Sequence, residues 1–175
     1  MVNISSLHLK TSLLYYYRFK RQFIVTDECY SGLEIADILV DTGKAIYEIE
    51  IKINKADLYK EKKKKKHKLE IFKGANQFSL CVPTDLVPFA LKWIKEVNSK
   101  YGLIEFRTKY YNEMKLRYTR FPWDECLLFK KKALKLHSNY NIRLRQNIIQ
   151  RLPSALINAY INILEGIDQR ERDKK

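Results

Sequence analysis

The 175-residue chain has little of what builds stapled, zinc-bound or nucleotide-cofactor folds: 3 cysteines, 3 histidines, 5 glycines and 4 prolines. Cys29, Cys81 and Cys126 are odd in number and far apart, which excludes a disulfide framework and a paired-cysteine zinc site. His8, His67 and His137 have no ligand spacing among themselves or with a cysteine or acid, so zinc is not expected. No Walker loop, GxGxxG or GxSxG sequence occurs, which leaves nucleotide-cofactor and serine-hydrolase chemistries without a footing. No apolar run approaches the roughly 18 residues of a membrane span, and no leader-like segment opens the chain. We therefore expect a soluble, reduced, cytoplasmic protein with no membrane partner.

Acidic residues are also scarce, 20 against 34 Lys+Arg, for a net charge of +14. Hydrophobic residues at 46% supply a core, and a chain of this length buries about 70% of its unfolded surface as one domain. The charge is unevenly spread. Residues 1–59 hold 7 basic and 8 acidic side chains, leaving 27 and 12 for the remainder, so the two parts carry −1 and +15. A basic chain favours a polyanionic partner, nucleic acid above membrane surface. An acidic cluster within it suits a metal-dependent enzyme acting on phosphodiesters, and equally a basic binding protein with clustered acids.

The pattern alternates between elements. Ser5 or Ser6 caps a helix to about Arg21, with Leu9, Leu13, Leu14 and Tyr17 near helical spacing. Phe23–Val25 and Ile35–Val40 read as strands, and Asp41-Thr42-Gly43-Lys44 as a hairpin turn. The strand from Ala45 to Ile53 puts Tyr47, Ile49, Ile51 and Ile53 on one face and Glu48, Glu50 and Lys52 on the other. A helix from Lys55 to about Phe72, a strand from Asn76 to Val82, a helix from Leu86 to Val97 and a strand from Leu103 to Phe106 follow. After Tyr110 the pattern turns helical, most clearly over Leu152 to Ile167. The expected fold class is α/β, a mixed central sheet flanked by helices in αβββαβ order. We expect one domain, with a core over 1–110 and a helical extension over 111–175 packed on it.

The chemistry concentrates in Asp37 and in Glu50-Ile51-Lys52, on neighbouring strands. Period-2 geometry puts Glu50 and Lys52 on one face, within reach of Asp37. Two carboxylates and a backbone carbonyl, here that of Ile51, suit a hard divalent cation such as Mg²⁺, for which Mn²⁺ substitutes. Lys52 can then orient a bound water or stabilise charge developing on a phosphorane. Paired carboxylates also serve glycosidases, but the lysine and the basic chain fit phosphodiester hydrolysis better. The bland alternative is a polar strand face turned to solvent. Lys60 to Lys68 holds seven lysines in nine residues; it reads either as a solvated surface or as a helix that grips phosphates. Arg143, Arg145 and Arg151 could extend such a basic track.

The segment from about Phe23 to Phe106 resembles the PD-(D/E)xK nuclease superfamily, most closely its MmcB-like DNA repair proteins. The resemblance rests on Glu28, Ala36-Asp37-Ile38-Leu39, Glu50-Ile51-Lys52, Lys55-Ala56-Asp57-Leu58, Glu61 and Lys63. It continues in Phe78, Leu80, Val82-Pro83-Thr84-Asp85-Leu86 and Gly102-Leu103-Ile104. It implies a restriction-endonuclease-like core with Asp37 and Glu50 as metal ligands and Lys52 as catalytic lysine. Glu28, Glu48 and Asp57 are further acidic candidates, and Lys55, Lys62, Lys63 and Lys66 are candidates for DNA contact. The chain departs from the family at Leu33-Glu34-Ile35, at Ile53 and at Glu48, which stands in a usually apolar place. The function expected is a metal-dependent DNA endonuclease in repair, recombination or a mobile element. The alternatives are a Holliday-junction resolvase-like activity on branched DNA, which calls for a homodimer, and a DNA-binding protein that keeps the fold without cleavage.

Overall fold

The computed structural model describes residues 4–32, 34–67, 74–114 and 122–152. Helix α1 (Ser6–Tyr15) runs into a π-helical turn at Tyr16–Lys20. Three strands follow, β1 (Ile24–Tyr30), β2 (Ile35–Asp41) and β3 (Ile46–Ile51), then helix α2 (Lys55–Glu61). After strand β4 (Gln77–Pro83) come helix α3 (Val87–Val97), strand β5 (Gly102–Phe106), helix α4 (Thr108–Met114) and strand β6 (Leu127–Lys131). Residues 142–152 are helical.

The strands form one mixed sheet in the order β1-β2-β3-β4-β5-β6. β1, β2 and β3 are antiparallel neighbours, β3, β4 and β5 are parallel, and β6 returns antiparallel to β5. The parallel pairs are made by crossovers through α2 and α3, as that geometry requires. The tight link between β2 and β3 is the expected hairpin. Gly43 sits there at φ 79°, a conformation glycine adopts without strain, and its N–H donates to Asp41 Oδ1 at 2.8 Å.

One sheet face carries Ile38, Val40, Ile49, Ile51, Cys81, Ile104 and Phe106 against Leu9, Leu13 and Tyr17. On the opposite face Phe78, Leu80, Val82 and Leu103 lie under Ala90, Trp93 and Ile94 of α3, with Leu58 of α2 alongside. Leu39 and Ile46 on that face pack with Leu144 and Ile148 of the 142–152 helix. The pairing places Leu39, Glu48 and Phe78 side by side across β2, β3 and β4. Two apolar patches therefore flank a polar stripe, and the polar stripe is buried.

Two expectations are corrected. The lysine run does not continue α2, which stops at Glu61; a turn follows, then a 3₁₀ turn at Lys65–His67. Residues two apart on an α-helix point about 200° apart, so a continuous helix could not aim both Lys64 and Lys66 at one carboxylate, as the turn does. The segment after Tyr110 is not wholly helical either, because Leu127–Lys131 forms edge strand β6. That strand is short, flanked by lysines, and exposes Leu128 and Phe129, so it lacks the alternation that marks a half-buried strand. The helix expected over Leu152 to Ile167 falls almost wholly outside the described residues.

Candidate functional site

Strand β3 carries Glu48 and Glu50, Lys52 follows directly after its end, and the structure does not turn them to water. Glu48 is 0% exposed, Glu50 1% and Lys52 9%. A solvent-facing alternation would leave such residues open; here two carboxylates are taken into the interior, which is tolerated only with partners.

Asp37, Glu50 and Lys52 come together. Lys52 Nζ lies 2.9 Å from Glu50 Oε2 and 3.9 Å from Asp37 Oδ2. The backbone N–H of Ile51 donates to Asp37 Oδ2 at 2.7 Å and fixes that carboxylate beside β3. The Asp37 side chain is 37% exposed, and its Oδ1 has no hydrogen-bond partner among the described residues.

Around this trio lies a second tier that sequence reasoning did not assign. Glu61, the last residue of α2, sends Oε2 to within 2.9 Å of Lys52 Nζ, so Lys52 is held between two carboxylates. Lys66 is buried to 1%, with its Nζ 2.6 Å from Glu48, 2.7 Å from Glu50 and 3.2 Å from Glu61. Lys64 reaches Glu61 at 2.8 Å, Glu50 at 3.2 Å and Glu34 at 3.5 Å. His67 Nε2 lies 2.9 Å from Glu61 Oε1 and its Nδ1 lies 3.0 Å from the Tyr101 hydroxyl. An ionised carboxylate only accepts, so His67 Nε2 carries the proton of the bond to Glu61. The sequence signals for this tier were Glu61, present in the motif succession without a role, and Glu48: an acid in a usually apolar place needs a buried cation, and the lysine run can supply one.

The electrostatics follow from this packing. Burial, together with nearby Glu50, raises the Asp37 carboxyl above its ordinary value, and burial likewise raises Glu48. Burial also works against the ionised Glu50 and Glu61, but it is outweighed, by the surrounding lysines at Glu50 and by the His67 hydrogen bond together with the lysines at Glu61, so that both carboxyls are lowered from their ordinary value. Lys52 and Lys66 resist the loss of their protons despite burial, because the facing carboxylates keep them charged. Lys52 is thus a fixed ammonium, suited to stabilising anionic oxygen and unsuited to accepting a proton.

Other candidates take different places. Glu28 falls between the Asp27–Ile38 and Cys29–Ala36 pairs, opposite Asp37. Its φ of 47° breaks the regular strand geometry, and its carboxylate pairs with Lys10 of α1 at 2.7 Å instead. Asp57 lies in the first turn of α2, which Asn54 caps: the Asp57 N–H donates to Asn54 Oδ1, and Asn54 Nδ2 donates back to Asp57 Oδ2 at 2.7 Å. Lys55 lies over the Phe89 ring at 3.7 Å, and Lys62 pairs with Glu96 at 2.9 Å. Lys66 is corrected outright, since a fully buried ammonium cannot contact phosphate. Within the run, Lys60, Lys62, Lys63 and Lys65 are exposed, Lys62 being paired with Glu96.

Among the described residues, no three His, Cys, Asp or Glu side chains are grouped so as to hold a metal ion. The carboxylates are drawn onto lysines instead. By donor chemistry Asp37 and Glu50 nonetheless fit a hard divalent cation. Five carboxylates (Glu34, Asp37, Glu48, Glu50, Glu61) face three lysines (Lys52, Lys64, Lys66), which leaves two negative charges when every acid is ionised. No helix among the described residues is long and apolar enough to cross a membrane.

No protein-family model and no curated protein matches the chain. Its fold is similar to that of a solved Silicibacter pomeroyi protein of unknown function, with a TM-score of 0.54, 12% identity and 91% of each chain covered. At that identity the likeness concerns the fold alone.

Proposed function

We propose that this protein is a Mg²⁺-dependent deoxyribonuclease with a restriction-endonuclease-like core. The observation that carries the reading is the buried Glu50–Lys52 pair beside the half-exposed Asp37. Taking ions out of water costs several kcal/mol each even after relaxation, a cost that a merely solvated strand face never meets. The motif succession over Phe23 to Phe106 and the net charge of +14 support the same reading.

In this account Asp37, Glu50 and the Ile51 carbonyl hold Mg²⁺, or Mn²⁺ in its place. A cation held there would supply Lewis acidity toward a water and toward charge on the phosphoryl group. Lys52, held between Glu50 and Glu61, presents a charged donor to the developing oxyanion. The Ile51 N–H keeps Asp37 turned toward the site. Lys63 and Lys65 face phosphates outside it.

Mg²⁺-dependent cleavage of linear duplex, single-stranded and four-way DNA by wild type and Asp37→Asn tests this. Wild type should cleave, and D37N should lose about a hundredfold or more in rate while keeping its DNA affinity. Cleavage confined to four-way DNA would favour the resolvase reading and a homodimer. A second reading, DNA binding without cleavage, draws on the three ammonium groups already on Glu50; tight binding with no cleavage in Mg²⁺ or Mn²⁺ would select it.

A further inference from the structure

We propose that Lys64 is a displaceable internal counter-ion of the carboxylate site, which competes with a divalent cation for Glu50 and must swing into solvent before the ion binds. This rests on the reading of Asp37 and Glu50 as metal ligands and adds a control to it.

The three ammonium groups on Glu50 are not equivalent. Lys66 is sealed in, and its departure would leave Glu48 with no cation among the described residues. Lys52 extends from the end of β3 and is held by Glu50 and Glu61 together. Lys64 comes from the turn after α2, and its side chain is 29% exposed, against 11% for Lys52 and 1% for Lys66. Each buried carboxylate that Lys64 touches has other partners. Glu50 keeps Lys52 and Lys66, and Glu61 keeps Lys52, Lys66 and His67. Glu34, its third contact, has a side chain 28% exposed and can return to water. Lys64 can therefore leave without orphaning a buried charge.

The charge count sets the exchange. With Lys64 withdrawn the five carboxylates face two lysines, a net of −3, and a divalent cation brings this to −1. With Lys64 in place the same ion must approach an ammonium group 3.2 Å from the Glu50 oxygen it needs. A phosphodiester arriving at the site offers the released ammonium a new anion. Binding of cation and of DNA should then each strengthen the other, as linkage requires.

Mn²⁺ binding, followed by the electron paramagnetic resonance signal of the free ion, tests this without reference to cleavage. The proteins compared are wild type, Asp37→Asn, Lys64→Met, Lys64→Gln, Lys62→Gln and the double variant Lys64→Met/Asp37→Asn. K64M and K64Q should each bind Mn²⁺ about fivefold more tightly than wild type, the scale of one partly exposed ion pair. K62Q removes the same net charge from an exposed lysine paired with Glu96, and should stay within about twofold of wild type. The added D37N should abolish the gain. Two variants of Lys64 guard against a folding defect in either, and circular dichroism melting checks both. If D37N-sensitive Mn²⁺ binding occurs in wild type but K64M and K64Q do not tighten it, or K62Q tightens it equally, the counter-ion role is overturned and the metal site stands. If no protein binds Mn²⁺ in a D37N-sensitive way, both fall.

Discussion

Glu48, Glu50 and Glu61 share one buried ammonium, that of Lys66, and the consequences of losing it differ from those of losing a surface lysine. Lys66→Met would leave Glu48 without a cation among the described residues and weaken the hold on the other two. Breaking a buried ion pair from one side costs about 3–5 kcal/mol, and urea denaturation of K66M should show a loss of that order; a loss below about 0.5 kcal/mol, as for a surface site, would mean that the cluster is solvated. The same reasoning separates two probes of the site. Glu50→Gln removes a charge that balances three lysines and is expected to disturb folding. Asp37→Asn touches a half-exposed group whose described hydrogen bond comes from a backbone N–H, so it reports on chemistry more cleanly. Titration carries the third prediction at this scale. Glu61 has a folded-state pKa well below its ordinary 4.5, so its contribution is present above that value and is lost as pH falls. Lys66 is raised above 10.5, so its contribution is present below that value and is lost as pH rises beyond it. Asp37 and Glu48, raised by burial, act in the opposite sense to Glu61 on the acid side. Chemical denaturation from about pH 6 down to about pH 3 should therefore show a smaller loss of stability in Glu61→Gln than in wild type. An equal loss would remove Glu61 from the acid limb.

Helix α2 is only seven residues long, and its worth lies in what its two ends hold. Asn54 caps the first turn through Asp57, Leu58 enters the core, and Glu61 closes on Lys52. A helix so short has little intrinsic stability, so Asn54→Ala should cost about 1 kcal/mol, with recovery in Asn54→Ser or Asn54→Asp. Thermal melting of the three variants checks this, and an unchanged melting temperature in N54A would show that packing alone fixes α2. How legible each element was depended on how local its cause is. The alternation of Tyr47, Ile49 and Ile51 against Glu48, Glu50 and Lys52 is written in period-2 spacing, and β3 follows it. The end of α2 was not legible, because what stops it is the pull of Glu50 and Glu61 on Lys64 and Lys66, a tertiary effect. β6 was hidden for a related reason: an edge strand with lysines and exposed Leu128 and Phe129 draws its stability from pairing with β5, not from its own pattern. Asp37, Glu50 and Lys52 could be placed together from sequence because hairpin register fixes them; Glu61 and His67 arrive on other elements.

For the whole molecule, the lysine run divides its charge between inside and outside. Lys64 and Lys66 serve the acidic cluster, while Lys63 and Lys65 add to the external field of a +14 chain. Only the outward lysines can release counterions from DNA. Lys63→Ala/Lys65→Ala should flatten the log K against log[salt] slope on duplex DNA by about 1.8 while leaving the fold intact. An unchanged slope would move the DNA track to other basic surfaces. The proposal as a whole stands on a divalent cation at Asp37 and Glu50, and a crystal soaked in Mn²⁺ tests that most directly. The account predicts an anomalous peak at roughly 2.1 Å from carboxylate oxygens of Asp37 and Glu50, with the Lys64 ammonium moved off Glu50. An ordered site with no peak there, and Lys64 still seated on Glu50 and Glu61, would contradict it.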